Sequence, residues 1–278
     1  MKHYFLLCLL FFSVSNAYSE ENSIQQTYTV GVVPQFNPRT IYSIWQPILD
    51  KIEEQIGIHL ILQGTPSIPE FEKELLAGKF DFAYMNPYHM LIANDTQGYK
   101  PLIRDHVKSL SGILVVAKES SLNSPSQLNN KTIVFPSANA LGATMMIRSD
   151  LQDKFSTIVK PKYVLSHDSV YLNVAMGFSI AGGGVLRTLE KQTPKVRQRL
   201  RILHHTKSVT AHPFGVHPRV PLTMQNQVRK TLLSFSKTEK GKELFNQIPM
   251  SQSGIADMSD YRALSTMNLE RFYQKVNQ

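Results

Sequence analysis

The apolar positions of this chain switch repeatedly between a period of two and a period of three to four. Tyr28-Thr-Val-Gly-Val-Val33 alternates and is β-branched, which predicts a strand closed by Pro34 and the polar loop 35–39. Ile41, Ile44, Trp45, Ile48, Leu49, Ile52 and Ile56 then recur at helical spacing, a stripe that reads as core and that Gly57 ends. The same logic predicts a strand over 58–62, a helix over 68–77 stopped by Gly78, and a strand over 80–84. With Pro87 placed in a first helical turn, a short helix follows through Ile92.

Apolar runs at 101–105 and 112–117 read as strands on either side of a linking segment. The alternation then resumes: strand 132–135, helix from about Asn139, strand 162–165, helix 169–176, strand 180–184, helix 186–191 and strand 200–204. From Ala211-His-Pro-Phe-Gly-Val-His-Pro218 the chain is expected to cross back, because the helices at 222–236 and 240–248 have little strand material of their own. Residues 261–276 read as a last amphipathic helix. Strand and helix in alternation predict an α/β fold of two lobes, each a mainly parallel sheet flanked by helices. The expected limits are 25–109 plus 211–278 for one lobe and 110–210 for the other.

Ligands of such sheets sit beyond the carboxyl ends of the strands. The loops expected there carry Gln35, Asn37 and Asn86, with a further polar stretch at 65–68. The second lobe offers Ile133-Val-Phe-Pro-Ser-Ala-Asn-Ala-Leu-Gly-Ala-Thr-Met-Met-Ile147, a strand that turns into a helix through small residues. Ser137 or Asn139 is placed to cap that helix, and its free N–H groups can receive an anion or a polar head without any charged side chain. Gly182-Gly-Gly184 lacks the spacing of a dinucleotide fingerprint and marks close backbone approach or a sharp turn.

Composition narrows the chemistry. Met1-Lys-His3, an apolar run over 4–14 and Ser15-Asn-Ala17 form a cleavable secretory leader over 1–17, which places the mature chain in the periplasm. The single cysteine, Cys8, lies inside that run and lacks the small residues that precede a lipid-modified cysteine, so a lipoprotein is not expected. Its loss with the leader excludes disulfides, thiolate nucleophiles and Cys-ligated zinc. A formal charge of +9 suggests anionic partners, yet the basic residues are scattered, which argues against nucleic acid. His204, His205, His212 and His217 include no i, i+4 pair on a helix and no carboxylate among them, so no metal is expected. Ser166-His167-Asp168 holds triad residue types, but sequence neighbours rarely face one another and no nucleophile elbow occurs. The chain therefore reads as no enzyme, with no cofactor.

Taken together, Tyr28 to Pro34, the helix bearing Trp45 and Pro47, Leu75-Leu-Ala-Gly-Lys-Phe-Asp-Phe-Ala-Tyr84 with Asn86-Pro-Tyr88, the Phe135-Pro-Ser turn and His167-Asp-Ser-Val170 resemble the periplasmic phosphate/phosphonate-type substrate-binding proteins of ABC transporters, over nearly the whole mature chain. The resemblance implies a type II periplasmic binding protein fold, two α/β lobes joined by two hinge crossings. It implies a monomer that captures a small, oxyanionic, phosphonate-like ligand between the lobes for an inner-membrane ABC permease. The alternative is a sensor that presents its bound state to a membrane kinase or cyclase. The resemblance further implies that Tyr84, Tyr88 and His167, with Asp168 beside it, reach the ligand together with Ser137 and Asn139. Two features depart from the family. Its Ser-Thr-Ser-Gly run aligns with Asn139-Ala-Leu-Gly142, so two hydroxyl donors are lost, and Gly177-Phe-Ser-Ile-Ala181 lacks the acidic residue that would pair with an amine. Inorganic phosphate is therefore expected to bind more weakly than a ligand with an apolar body.

Overall fold

The computed structural model describes residues 26–248 and 250–275, so the leader expected over 1–17, with Cys8, lies outside the described residues. The first lobe begins with β1 (Thr27–Val32), α1 (Pro38–Ile56), β2 (His59–Gln63), α2 (Ile68–Leu76), β3 (Phe82–Tyr84), α3 (Pro87–Gln97) and β4 (Lys100–Asp105). Asn37, Ser67 and Asn86 cap the three helices, each accepting a backbone N–H of the first turn, and each helix starts with a proline at its first or second position. Trp45 belongs to the core, packed on Tyr84 and Phe214.

A two-residue strand, β5 (Ser109–Leu110), leads into the second lobe. It contains β6 (Gly112–Ala117), β7 (Thr132–Phe135), a π-helical turn over Leu141–Met146 that continues as α4 (Ile147–Phe155), β8 (Lys160–Tyr163), α5 (His167–Ala175), β9 (Ala181–Val185), α6 (Leu186–Glu190), α7 (Pro194–Arg197) and β10 (Leu200–His205). The return passes through β11 (Val209–Thr210), which pairs antiparallel with β5, so the two crossings between lobes hold each other. Back in the first lobe come β12 (Phe214–Val216), α8 (Leu222–Phe235), α9 (Glu239–Phe245), β13 (Ser253–Ile255) and α10 (Ser259–Arg262).

The first sheet has the order β13-β4-β12-β3-β1-β2 and the second β10-β6-β9-β7-β8. Strands β1, β2 and β3 run parallel, as do β7, β8 and β9, while the strands that follow each crossing, β12 and β6, insert antiparallel. This is the two-lobed type II architecture. Alternate side chains of the second sheet feed opposite layers: Ile133 and Phe135 pack with Ile147 and Leu151, whereas Val134 packs with Val170 and Tyr171. The first core crosses the cleft, joining Leu141, Ala143, Met145, Met146 and Val185 to the first lobe, so the lobes are closed on one another.

Three expectations need correction. The helix expected from Asn139 starts at Leu141, and neither Ser137 nor Asn139 caps it. Its N-cap, Ala140, has no side-chain acceptor, and the first turn widens so that Thr144 N and Met145 N both reach Ala140 O. The cause lies in the sheet beneath, where a Cβ on Gly112 would sit 2.0 Å from Gly142 O and one on Gly183 2.0 Å from Ala143 O, so bare backbone lets the turn settle. Second, β12 and β13, three residues each, are too short to show a period. Third, the tail is not one helix: it runs through α10 and two short 3-10 turns at Ala263–Met267 and Glu270–Phe272, broken by Asn268 in the left-handed region. It breaks because it must reach both lobes. Tyr88 meets the Tyr273 ring, while Arg148 lies over Phe272 and Arg271 pairs with Asp153.

Candidate functional site

Between the lobes, at the carboxyl ends of the parallel strands, the chain leaves a small cavity of about 20 Å³. Its wall is assembled from helix starts: Ile68 of α2, Asn86 at the cap of α3, Ala140 to Ala143 entering the π-turn, and His167 opening α5. Val33, Leu110, Leu141 and Val185 supply apolar surface, and Gln35 and His212 close the remaining side. Among the described residues no Asp, Glu, Lys or Arg lines it.

The electrostatics follow from the backbone. Helix N-termini carry a partial positive charge and free donors. At the π-turn no side chain caps the helix, and among the described residues the N–H groups of Leu141, Gly142 and Ala143 have no acceptor. The His167 N–H is likewise free, since the Ser166 hydroxyl takes the Ser169 N–H. Four unpaired N–H groups around a small space form a nest for an anion.

Both histidines in the wall are neutral near pH 7. Burial lowers His167 from 6.5 to about 4, and burial, then the neighbouring His89 and His167, lowers His212 to about 3. The Gln35 amide nitrogen lies 2.9 Å from His212 Nε2, so the amide donates and the ring proton of His212 sits on Nδ1. Tyr84 stacks on the His212 ring at 5.4 Å, and burial pushes its phenol far above the ordinary range. The Tyr84 and Ser137 hydroxyls and His167 Nδ1 are buried without a hydrogen-bond partner. Each such group carries a desolvation cost, and all three flank the strand ends where a ligand sits in this architecture.

Residues 30–261 match the family model described as the ABC transporter, phosphonate, periplasmic substrate-binding protein. The chain belongs to this family. Its fold is similar to that of a binding protein component of an ABC phosphonate transporter from Pseudomonas aeruginosa, with a TM-score of 0.78 and 14% identity over 89% of this chain and 88% of that one. It is equally similar to PhnD1 from Prochlorococcus marinus, solved in complex with methylphosphonate, with a TM-score of 0.78 and 14% identity over 88% and 98% of the two chains. A Xanthomonas citri protein bound to ATP shares 16% identity over 89% and 98%, with a TM-score of 0.71.

Within this binding-protein frame, the residues singled out from sequence divide. Gln35, Asn86 and His167 line the cavity, while Tyr84 and Ser137 are buried outside its lining. The other four are engaged elsewhere. Asn37 caps α1 through its Oδ1, Asp168 accepts from Gln192 Nε2 at 2.6 Å, and the Tyr88 ring packs on Tyr273. Asn139 turns away from the cavity. Its Nδ2 donates to Glu72 Oε2 at 2.8 Å and to Gln274 O at 2.7 Å, and its Oδ1 accepts from Gln274 N. Here the lobes are sewn together by a fully buried carboxylate. Desolvation pushes Glu72 up, but His89, Asn139 and Tyr273 outweigh it and hold the carboxyl below its ordinary range. His89 Nε2 lies 3.7 Å from Glu72 Oε2, within ion-pair reach but beyond a hydrogen bond.

Sequence reasoning reached Ile68 through the stretch 65–68, weighed His212 only as a metal ligand, and did not find Leu110 or Val185. The available signal for His212 was its place directly after the returning hinge strand, at the mouth of β12. The GGG run in β9 serves packing: a Cβ on Gly184 would strike the Tyr171 hydroxyl, which accepts from Val185 N.

Proposed function

We propose that the chain is a periplasmic solute-binding protein that captures a small phosphonate-class oxyanion in this cavity and delivers it, as a monomer, to an inner-membrane ABC permease. The observation that carries the reading is the convergence of unpaired helix-start N–H groups on a cavity without a charged side chain. The N–H groups of Leu141, Gly142, Ala143 and His167 receive the oxyanion, with Gln35, Asn86 and the neutral His212 around it. In a water-excluded site such fixed dipoles hold an anion without reorganising. The apolar wall of Val33, Ile68, Leu110, Leu141 and Val185 accommodates a carbon substituent better than a fourth oxygen. It would leave that oxygen without a donor.

Titration calorimetry with methylphosphonate, phosphite, inorganic phosphate and methanesulfonate tests this. The expected order places methylphosphonate first and phosphate behind it. Ligand at 100 times its Kd should raise stability by about 2.7 kcal/mol. Submicromolar phosphate binding combined with silence toward methylphosphonate would overturn the assignment.

A further inference from the structure

The cavity shares part of its wall with a neighbour. Gln35, Leu110, Val185 and His212 also line a second, larger pocket of about 350 Å³ that opens beside the hinge strands. Its polarity is unlike that of the inner cavity. It brings Lys108 and Arg187 together with the hydroxyls of Ser109, Ser111 and Thr188, and Glu190 is its one acidic lining residue.

Among the described residues neither cation has a counter-charge. The Asp105 carboxylate accepts from the backbone N–H groups of Val107 and Lys108 at 2.8 and 2.6 Å, which fixes the loop that carries Lys108. Arg187 reaches across to Asn246 O, and its Nε is buried without a partner. Among the described residues no carboxylate lies within ion-pair distance of either side chain.

We infer that this outer pocket is a second subsite for an anionic group on the ligand's carbon substituent, so that the favoured ligand is a short bifunctional anion, an oxyanion head joined to a carboxylate or a second phosphoryl group. The inference rests on the reading that the head binds in the inner cavity. Head and second anion are then read by different devices, backbone dipoles inside and guanidinium with ammonium outside. A substituent bearing an amine meets two cations there and is disfavoured.

The test uses the full mature protein and three probes of similar size: methylphosphonate, phosphonoacetate and aminomethylphosphonate, compared by titration calorimetry. Phosphonoacetate should bind roughly tenfold more tightly than methylphosphonate, the gain of one charge-assisted contact, and aminomethylphosphonate more weakly than either. Lys108→Gln and Arg187→Gln should each lower the phosphonoacetate preference, and Lys108→Glu should move it toward aminomethylphosphonate. Among the described residues the Lys108 side chain has no partner, so its variants remain informative if Arg187→Gln fails to fold. Methylphosphonate binding with no preference for phosphonoacetate, or a preference that survives both Lys108 changes, overturns the subsite alone. Failure of all three probes to bind overturns the reading of the inner cavity and the subsite with it.

Discussion

Two neighbouring regions between the lobes are electrostatically opposite. The cavity has no ionised side chain and is polarised only by helix starts, while the seam beside it encloses the carboxylate of Glu72. Asn139 and Ala140 sit on the boundary, the first turning its amide to Glu72 and the second opening the uncapped turn toward the cavity. Backbone dipoles neither titrate nor move, so they suit a site that must accept charge from solvent. A buried carboxylate is tolerated only where donors already surround it. Lobe closure and ligand charge are thereby handled by separate groups, and Glu72, held by its own partners, does not have to be neutralised by the ligand.

The strongest way to break this comparison is Glu72→Ala. Removing one partner from a buried, hydrogen-bonded charge site should destabilise the protein by about 3–5 kcal/mol, read by urea unfolding. A loss below about 1 kcal/mol would show that the seam does not hold the lobes. Asn139→Ala should follow, costing about 1–3 kcal/mol because Glu72 and Gln274 lose their donor and acceptor. If stability instead stays level while methylphosphonate affinity collapses, the amide faces ligand after all.

Acidification sharpens the contrast. Because His167 and His212 titrate at about 4 and about 3 when folded, below their ordinary 6.5, the unfolded chain binds more protons in between. Their contribution is complete above pH 6.5 and is lost as pH falls through that window. Below the ordinary carboxylate value of 4.5 the lowered Glu72 adds a further loss. An anion in the cavity favours the charged imidazoles, so binding near pH 5 should take up protons, visible as a dependence of the calorimetric heat on buffer ionisation. Identical heats in all buffers would exclude such coupling. The smallest effect on stability belongs to Ser137→Ala and Tyr84→Phe. Each removes a buried hydroxyl that has no partner, so stability should rise, by about 1 kcal/mol at most. If either hydroxyl donates to the ligand, affinity should fall by roughly tenfold in the same variant.

The sequence by itself determined the alternation of strand and helix, the two lobes and the helix start at Asn86-Pro87. These rest on contacts between residues a few positions apart, where side-chain period, capping groups and proline act directly. What the residues around those elements would touch was decided only in three dimensions. The Asn139 amide could cap a helix, meet a ligand or satisfy a distant acid, and the choice fell to Glu72, 67 positions away, and Gln274, 135 positions away. Gln35 meets His212 across 177 positions, and the helical period of the tail gave way to short turns because its residues bridge both lobes. Local periodicity is blind to such pairings: a buried polar group takes whichever partner the packed lobes bring within hydrogen-bond reach, and its own neighbours in sequence do not encode that.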